Sequence, residues 1–217
     1  MLRKRRSKIS STWFRKRSFV HKVGHIIDRH HGRNFLESGL LEGEIFANAF
    51  AVAFWARYGS EDTFNLLKEL VADAADNFER PVAENEGLAE FAYLFEAGQI
   101  EFTFNNYGWF QFGLVNYVLE EMRDLESLLI EAGLEFNDLP PRRTLEFSSI
   151  GEDDIPEILT EVFTALLEWG IDMPFPVYHR LDNDPNMHVV MSGVTFGEIE
   201  RWGLAAEAVR IWPPDGH

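Results

Sequence analysis

Twelve residues from Ile45 to Ala56, IFANAFAVAFWA, hold a single polar side chain, Asn48, and any fold this chain adopts has to bury them. The run is far short of the roughly 20 residues that cross a bilayer, so it predicts a core helix and not a membrane span. Glu42 and Glu44 precede it, where carboxylates suit a helix N-terminus, and Gly59 follows, which predicts a left-handed C-terminal cap. A helix apolar on every side should be the most buried in the protein.

Around that helix the pattern continues. Ser60 reads as an N-cap with Glu61 and Asp62 in the first turn; Phe64, Leu67, Val71, Ala74 and Phe78 share one face, and Pro81 ends the run. Leu88 to Ala97 predicts a short helix closed by Gly98. Ile100, Phe102 and Phe104 alternate with Glu101 and Thr103, and Asn105 to Gly108 is turn chemistry, so the period favours a strand or hairpin. Leu114, Val118, Met122, Leu125 and Leu129 then predict one long helix ended by Gly133. The six aromatics between Phe102 and Phe112 read as core.

Residues Asn137 to Arg143, NDLPPRR, read as a linker, because paired prolines exclude both helix continuation and central-strand pairing. Beyond it, Thr144 to Ser148 reads as a strand. Asp153 or Asp154 caps a helix with the stripe Ile155, Ile158, Leu159, Val162, Phe163 and Leu166, ended by Gly170. Phe175 to Leu181 and Met187 to Met191 read as strands flanking the turn Asp182 to Asn186. Thr195 and Glu198 form a capping box, and Ala208 to Trp212 is a last strand. That succession predicts an α+β chain: a basic arm over 1–33, a mainly helical acidic domain over 34–136, a linker over 137–143, and a ferredoxin-like βαββαβ domain over 144–217.

Charge is distributed unevenly. The net charge is −16, yet residues 1–33 hold eleven of the twenty Lys and Arg against one acid, Asp28, giving +10 and leaving 9 − 35 = −26 for the rest. Arg3, Lys4, Arg5, Arg6, Arg15, Lys16 and Arg17, with Trp13 and Phe14 available to stack, fit a nucleic-acid arm. The same composition fits a solvated tail or an organelle transit peptide, and it lacks the apolar stretch of a secretory signal. Absence of cysteine rules out disulfides, thiol nucleophiles and thiolate metal sites, and fits a cytoplasmic protein.

Catalytic signatures are missing: there is no glycine-rich phosphate loop, no G-x-S-x-G and no H-E-x-x-H. His21, His25 and Asp28 would share one side of a helix at a spacing that suits a divalent metal, but the motif lacks its Glu and its neighbours are Arg and Lys. His179 and His188 would face each other across a hairpin with Asp182 and Asp184 near, the basis of an alternative reading as a small metal-dependent hydrolase. From these residues we expect no catalytic group, no metal and no cofactor. The acids carry the stronger signal. Asp62, Glu69, Asp73 and Asp76 form a stripe of about 21 Å at 1.5 Å per residue, and Glu157, Glu161 and Glu168 form a second. Such stripes repel nucleic acid and attract basic proteins. Duplex DNA would place about 12 charges along the same length, so four carboxylates imitate it only if several stripes gather.

The stretch Gly98 to Gly108, GQIEFTFNNYG, resembles the segment G-F-x-Q-[YF]-F-x-N-x-x-G of an acidic bacterial family of the Neisseria DNA-mimic type. Gly98, Phe102, Phe104, Asn105 and Gly108 match it loosely. Ala97 and Gly98 stand for a pair of glycines, Gln99 for Phe and Glu101 for Gln. Over about 35 residues, the resemblance implies a helix where the alternation predicts a strand, a mainly helical first domain and an acidic protein-binding role; it carries over no catalytic residue. Together with the charge, it makes the expected function a non-enzymatic inhibitor or immunity-type module that binds a basic, nucleic-acid-handling protein. The alternatives are the hydrolase and a nucleic-acid-binding arm.

Overall fold

A computed structural model describes residues 20–28, 35–75, 77–137, 155–172, 174–179, 188–195 and 201. The chain divides into two compact units, Met1–Ala132 with Arg142–Glu146, and Gly133–Pro141 with Phe147–His217.

The first unit is helical: α1 (20–28), α2 (Phe35–Tyr58), α3 (Glu61–Ala75), α4 (Leu88–Glu96), α5 (Phe104–Glu120) and α6 (Leu125–Glu131). The apolar run of α2 forms its centre. Phe46, Phe50, Phe54, Trp55 and Tyr58 are all buried, and α3, α4, α5 and α6 all pack on the helix. Gly39 breaks α2 near its start with φ +78°, a conformation that favours glycine, and the chain restarts at Leu40, whose N–H donates to Glu96 Oε1 at 2.7 Å. A carboxylate of α4 thereby caps the main run of α2. Gly59 does not adopt the expected left-handed cap, since positive φ occurs at Gly39, Gly98, Gly133 and Gly170. It is glycine for lack of room: a Cβ there would sit 2.6 Å from the Trp55 carbonyl oxygen.

Two expectations for the aromatic stretch are corrected. The segment before α5 is not a strand or hairpin: Thr103 Oγ1 accepts the Asn106 N–H at 3.1 Å and starts a helix at Phe104. Five alternating residues are too few to outweigh a well-placed cap. Nor are the six aromatics a core cluster. Phe110 is fully buried, whereas Phe102 and Phe104 stand exposed. The long helix through Leu129 also breaks, because Asp124 accepts from both the N–H and the hydroxyl of Ser127 (2.8 and 2.7 Å) and begins α6 anew. These bonds hold the exposed Asp124 carboxyl below its ordinary range. Replacing Thr103 by Ala should cost about 1 kcal/mol of stability, read as a lowered denaturant midpoint with an unchanged m-value.

In the second unit, α7 (Ile155–Glu168) buries Val162, Phe163, Ala165 and Leu166, followed by Trp169 and Ile171. Gly170, at φ +82°, turns the chain, and the Asn137 N–H donates to the Trp169 carbonyl at 2.7 Å. The strands β1 (Pro174–His179) and β2 (His188–Thr195) pair antiparallel, with Pro176 opposite Met191 and a register shift before it. The ferredoxin-like α+β assignment is not supported. The described residues are predominantly helical, and their only sheet is this two-stranded hairpin, not a four-stranded sheet carrying two helices. The outer strands of that expectation, Thr144 to Ser148 and Ala208 to Trp212, lie outside the described residues, as do the Asp153/Asp154 cap and the turn 182–186. A strand and helix order that many arrangements share cannot by itself pair the strands.

Candidate functional site

Two places in the first unit gather chemistry. The first lies between α1 and α2. Val20, Val23 and Ile27 seat α1 as an amphipathic helix, so part of the expected basic arm belongs to the packed body. Gly24 sets how close it comes: a Cβ there would be 2.8 Å from Ala47 Cα and 3.1 Å from the Ala47 oxygen, so α1 rests on the backbone of α2. One turn before Ala47 stands Glu44, and the turn containing Gly24 is bracketed by His21 and His25. Their Nε2 atoms are 3.0 Å apart; His21 Nε2 is 3.3 Å from Glu44 Oε2, and His25 Nε2 is 3.5 Å from Glu44 Oε1. His21 is 5% exposed and Glu44 6%. From α5, the buried Gln111 donates through Nε2 to Glu44 Oε2 at 2.8 Å.

Burial alone would push the Glu44 carboxyl upward. The hydrogen bonds of His21 and His25, with the electrostatic pull of the two rings, outweigh it and hold the group well below the ordinary carboxylate range. Sequence reading paired the two histidines with Asp28, which is buried on the same helix. The group that meets them is Glu44, from a helix some twenty residues away, and no spacing in the sequence announces that pairing. Its one legible trace was a carboxylate placed directly before the apolar run.

The second place is the surface where α5 begins. Phe104 is 86% exposed and Phe102 69%. Phe104 leans on Phe78 (ring centroids 5.7 Å apart), and Phe78 stacks on Phe112 (5.5 Å). Phe102 lies between Phe95 and Tyr107 (6.1 and 5.0 Å). Asn105 pins the 77–80 turn to this surface, accepting the Glu79 N–H at 3.0 Å and donating to the Glu79 carbonyl at 2.8 Å. Asn106 does the same for Glu101, donating to its carbonyl at 3.0 Å. Glu79 and Glu101, whose backbones Asn105 and Asn106 hold, are themselves exposed.

The segment that carries this surface is acidic. Residues 35–132 contain nineteen acids and four basic residues, Arg57, Lys68, Arg80 and Arg123. Each of the four is held by the protein itself: Arg57 lies 3.8 Å from Glu126, Lys68 lies over the Phe64 ring, Arg80 donates to the Glu86 carbonyl, and Arg123 pairs with Glu131.

Of the acids expected to bind a partner, Asp62 and Glu69 are exposed on α3, and Glu168 is exposed at the end of α7 in the second unit. Asp73, Glu157 and Glu161 fall on helices, but their side chains are outside the described set, and Asp76 is outside altogether. Arg3, Lys4, Arg5, Arg6, Arg15, Lys16 and Arg17 also lie outside the described residues. His179 and His188 are direct partners in the hairpin register, and their side chains are not among those described. Among the described residues no helix is long and apolar enough to cross a membrane. No protein-family model, curated protein or solved structure matches the chain.

Proposed function

We propose that the first unit is a non-enzymatic protein-binding module that captures an arginine- and lysine-rich segment of a basic partner, of the kind found on proteins that handle nucleic acid. The observation that carries this reading is the exposed pair Phe102 and Phe104 on either side of the Thr103 cap, with Asn105 and Asn106 of the same helix start bonded to the backbones of the exposed Glu79 and Glu101. Contiguous exposed apolar patches mark interaction surfaces, and Phe102 and Phe104 adjoin the rings of Phe95, Tyr107 and Phe78. Guanidinium groups stack on ring faces and pair with carboxylates, so this surface offers both halves of what arginine recognises. The nineteen-to-four excess of acids over residues 35–132 adds long-range attraction for a cation. The stretch that resembles the DNA-mimic family, Gly98 to Gly108, contains Glu101, Phe102 and Phe104 of this surface, and an inhibitor or immunity role fits it. A cysteine-free chain supports a cytoplasmic setting.

The test uses the full chain and a fluorescent arginine-rich peptide followed by anisotropy. Changing Phe102 and Phe104 to Ala together should weaken binding about tenfold or more, the usual size of an aromatic anchor, without unfolding the protein, since both rings are largely in solvent. Equal binding by the variant and the parent would refute the surface assigned here.

A further inference from the structure

We infer that His21, His25 and Glu44 form a site for one divalent transition-metal ion of the zinc class, which staples α1 to α2. The argument starts from protons. Four atoms that carry lone pairs converge, the two Nε2 and both carboxylate oxygens: the nitrogens lie 3.0 Å apart, His21 Nε2 lies 3.3 Å from Glu44 Oε2, and His25 Nε2 lies 3.5 Å from Glu44 Oε1. A proton on one Nε2 directed at the other leaves the second ring turning a lone pair toward the carboxylate. Protons on both rings, each directed at Glu44, bring two donors face to face at 3.0 Å. No arrangement of neutral imidazoles satisfies all three contacts, whereas one cation at their centre satisfies all of them at once.

The spacing agrees. Donors about 2.0 to 2.1 Å from a tetrahedral metal lie about 3.3 Å from one another, close to the 3.0 Å between the two Nε2 atoms and the 3.3 Å from His21 Nε2 to Glu44 Oε2, while the other carboxylate oxygen faces His25 Nε2 at 3.5 Å. Two imidazoles and one carboxylate suit zinc and its neighbours better than magnesium or calcium, which prefer all-oxygen shells.

The surroundings are those of a prepared site. Gln111 fixes the Glu44 carboxylate from a third helix, the outer-shell role that orients a metal ligand. One turn further along α2, Asn48 is fully buried and donates to the Glu44 carbonyl; its Oδ1 has no hydrogen-bond partner among the described residues, a spare acceptor on the face that carries Glu44. Lys22 is the one basic residue of α1, and it is exposed. Three protein ligands leave a fourth position for water or another donor. The inference does not depend on the aromatic surface or on its partner.

The experiment loads the full chain with Zn2+ alone after chelator treatment. One zinc per chain should bind, and the thermal midpoint should rise by about 5 to 10 °C at a hundredfold excess over Kd. Glu44→Gln and the double variant His21→Ala/His25→Ala should lose both effects. Because those variants change buried groups, a measurement on the unaltered protein decides if they do not fold: one equivalent of Zn2+ should shift the ring signals of two of the seven histidines, both metallated at Nε2, in 1H–15N spectra. Zinc uptake undiminished in a folded double variant, metallation through Nδ1, or an unaltered protein without stoichiometric uptake would overturn the assignment.

Discussion

Phe110→Ala is expected to remove about 3 to 5 kcal/mol of stability, enough to unfold a large part of a marginally stable unit. The ring is fully buried and stacked on Phe91, centroids 4.7 Å apart, and Ala92 and Leu114 complete the buried cluster. Leu40, Leu41, Ile45, Leu88, Phe95 and Trp109 close around it, so one side chain joins α2, α4 and α5. Those helices cannot collapse into the space without disturbing Thr103 and Glu96, which hold the starts of α5 and α2. The cavity therefore persists, and its volume adds to the lost transfer free energy. Denaturant titration of the variant reads the loss directly; a cost below about 1 kcal/mol would mean that Phe110 does not join these helices.

Gly24→Val should cost about 2 to 3 kcal/mol and act mainly on α1. The obstacle is the backbone of α2 at Ala47, which cannot swing aside as a side chain can, so α1 itself has to move. Alanine is a weaker test, because its helix propensity returns about 1 kcal/mol relative to glycine. Valine combines the collision with a β-branch that helices disfavour. Hydrogen exchange reports the position of the damage. Amides of residues 20–28 should lose protection while those of α5 keep it, since α5 does not rest on Gly24. Full protection of α1 in the variant would show that the close approach to Ala47 is not what seats it.

How far the sequence could be read depends on which interactions decide each element. The central helix was legible because twelve residues with one polar member leave a single outcome, burial. Gly98, Gly133 and Gly170 were legible as stops because left-handed backbone has a strong residue preference. The start of α5 was misread because alternation of Ile100, Phe102 and Phe104 imitates a strand, while the decisive bond is one hydroxyl, that of Thr103, on one N–H. The apparent single helix from Leu114 to Leu129 divides for the same reason, since Asp124 and Ser127 make a cap that apolar periodicity does not register. In the second half, strands were read in the order of a ferredoxin-like domain, but order is local and sheet assembly is not; the described strands form a hairpin alone.

The histidine cluster shows the sharper limit. His21 and His25 were visible as a pair because one helical turn separates them in sequence. Glu44 and Gln111 were not, because their meeting depends on how α1, α2 and α5 cross; the approach of α1 to α2 turns on a missing methyl group at Gly24, and Gln111 arrives from α5 independently of it. The aromatic surface was hidden for a different reason. Composition cannot distinguish a ring that fills a core from one held in water: Phe104 and Phe110 lie on different sides of α5, and Phe102 stands just before its cap.

The most direct test of the binding role is the salt dependence of capture of the arginine-rich peptide by the full chain. Affinity should be high at low ionic strength and fall by about tenfold or more on going to about 0.3 M salt, as exposed carboxylates and the guanidinium groups they attract are screened from one another. Affinity that is absent at low salt, or unchanged between the two conditions, would contradict it.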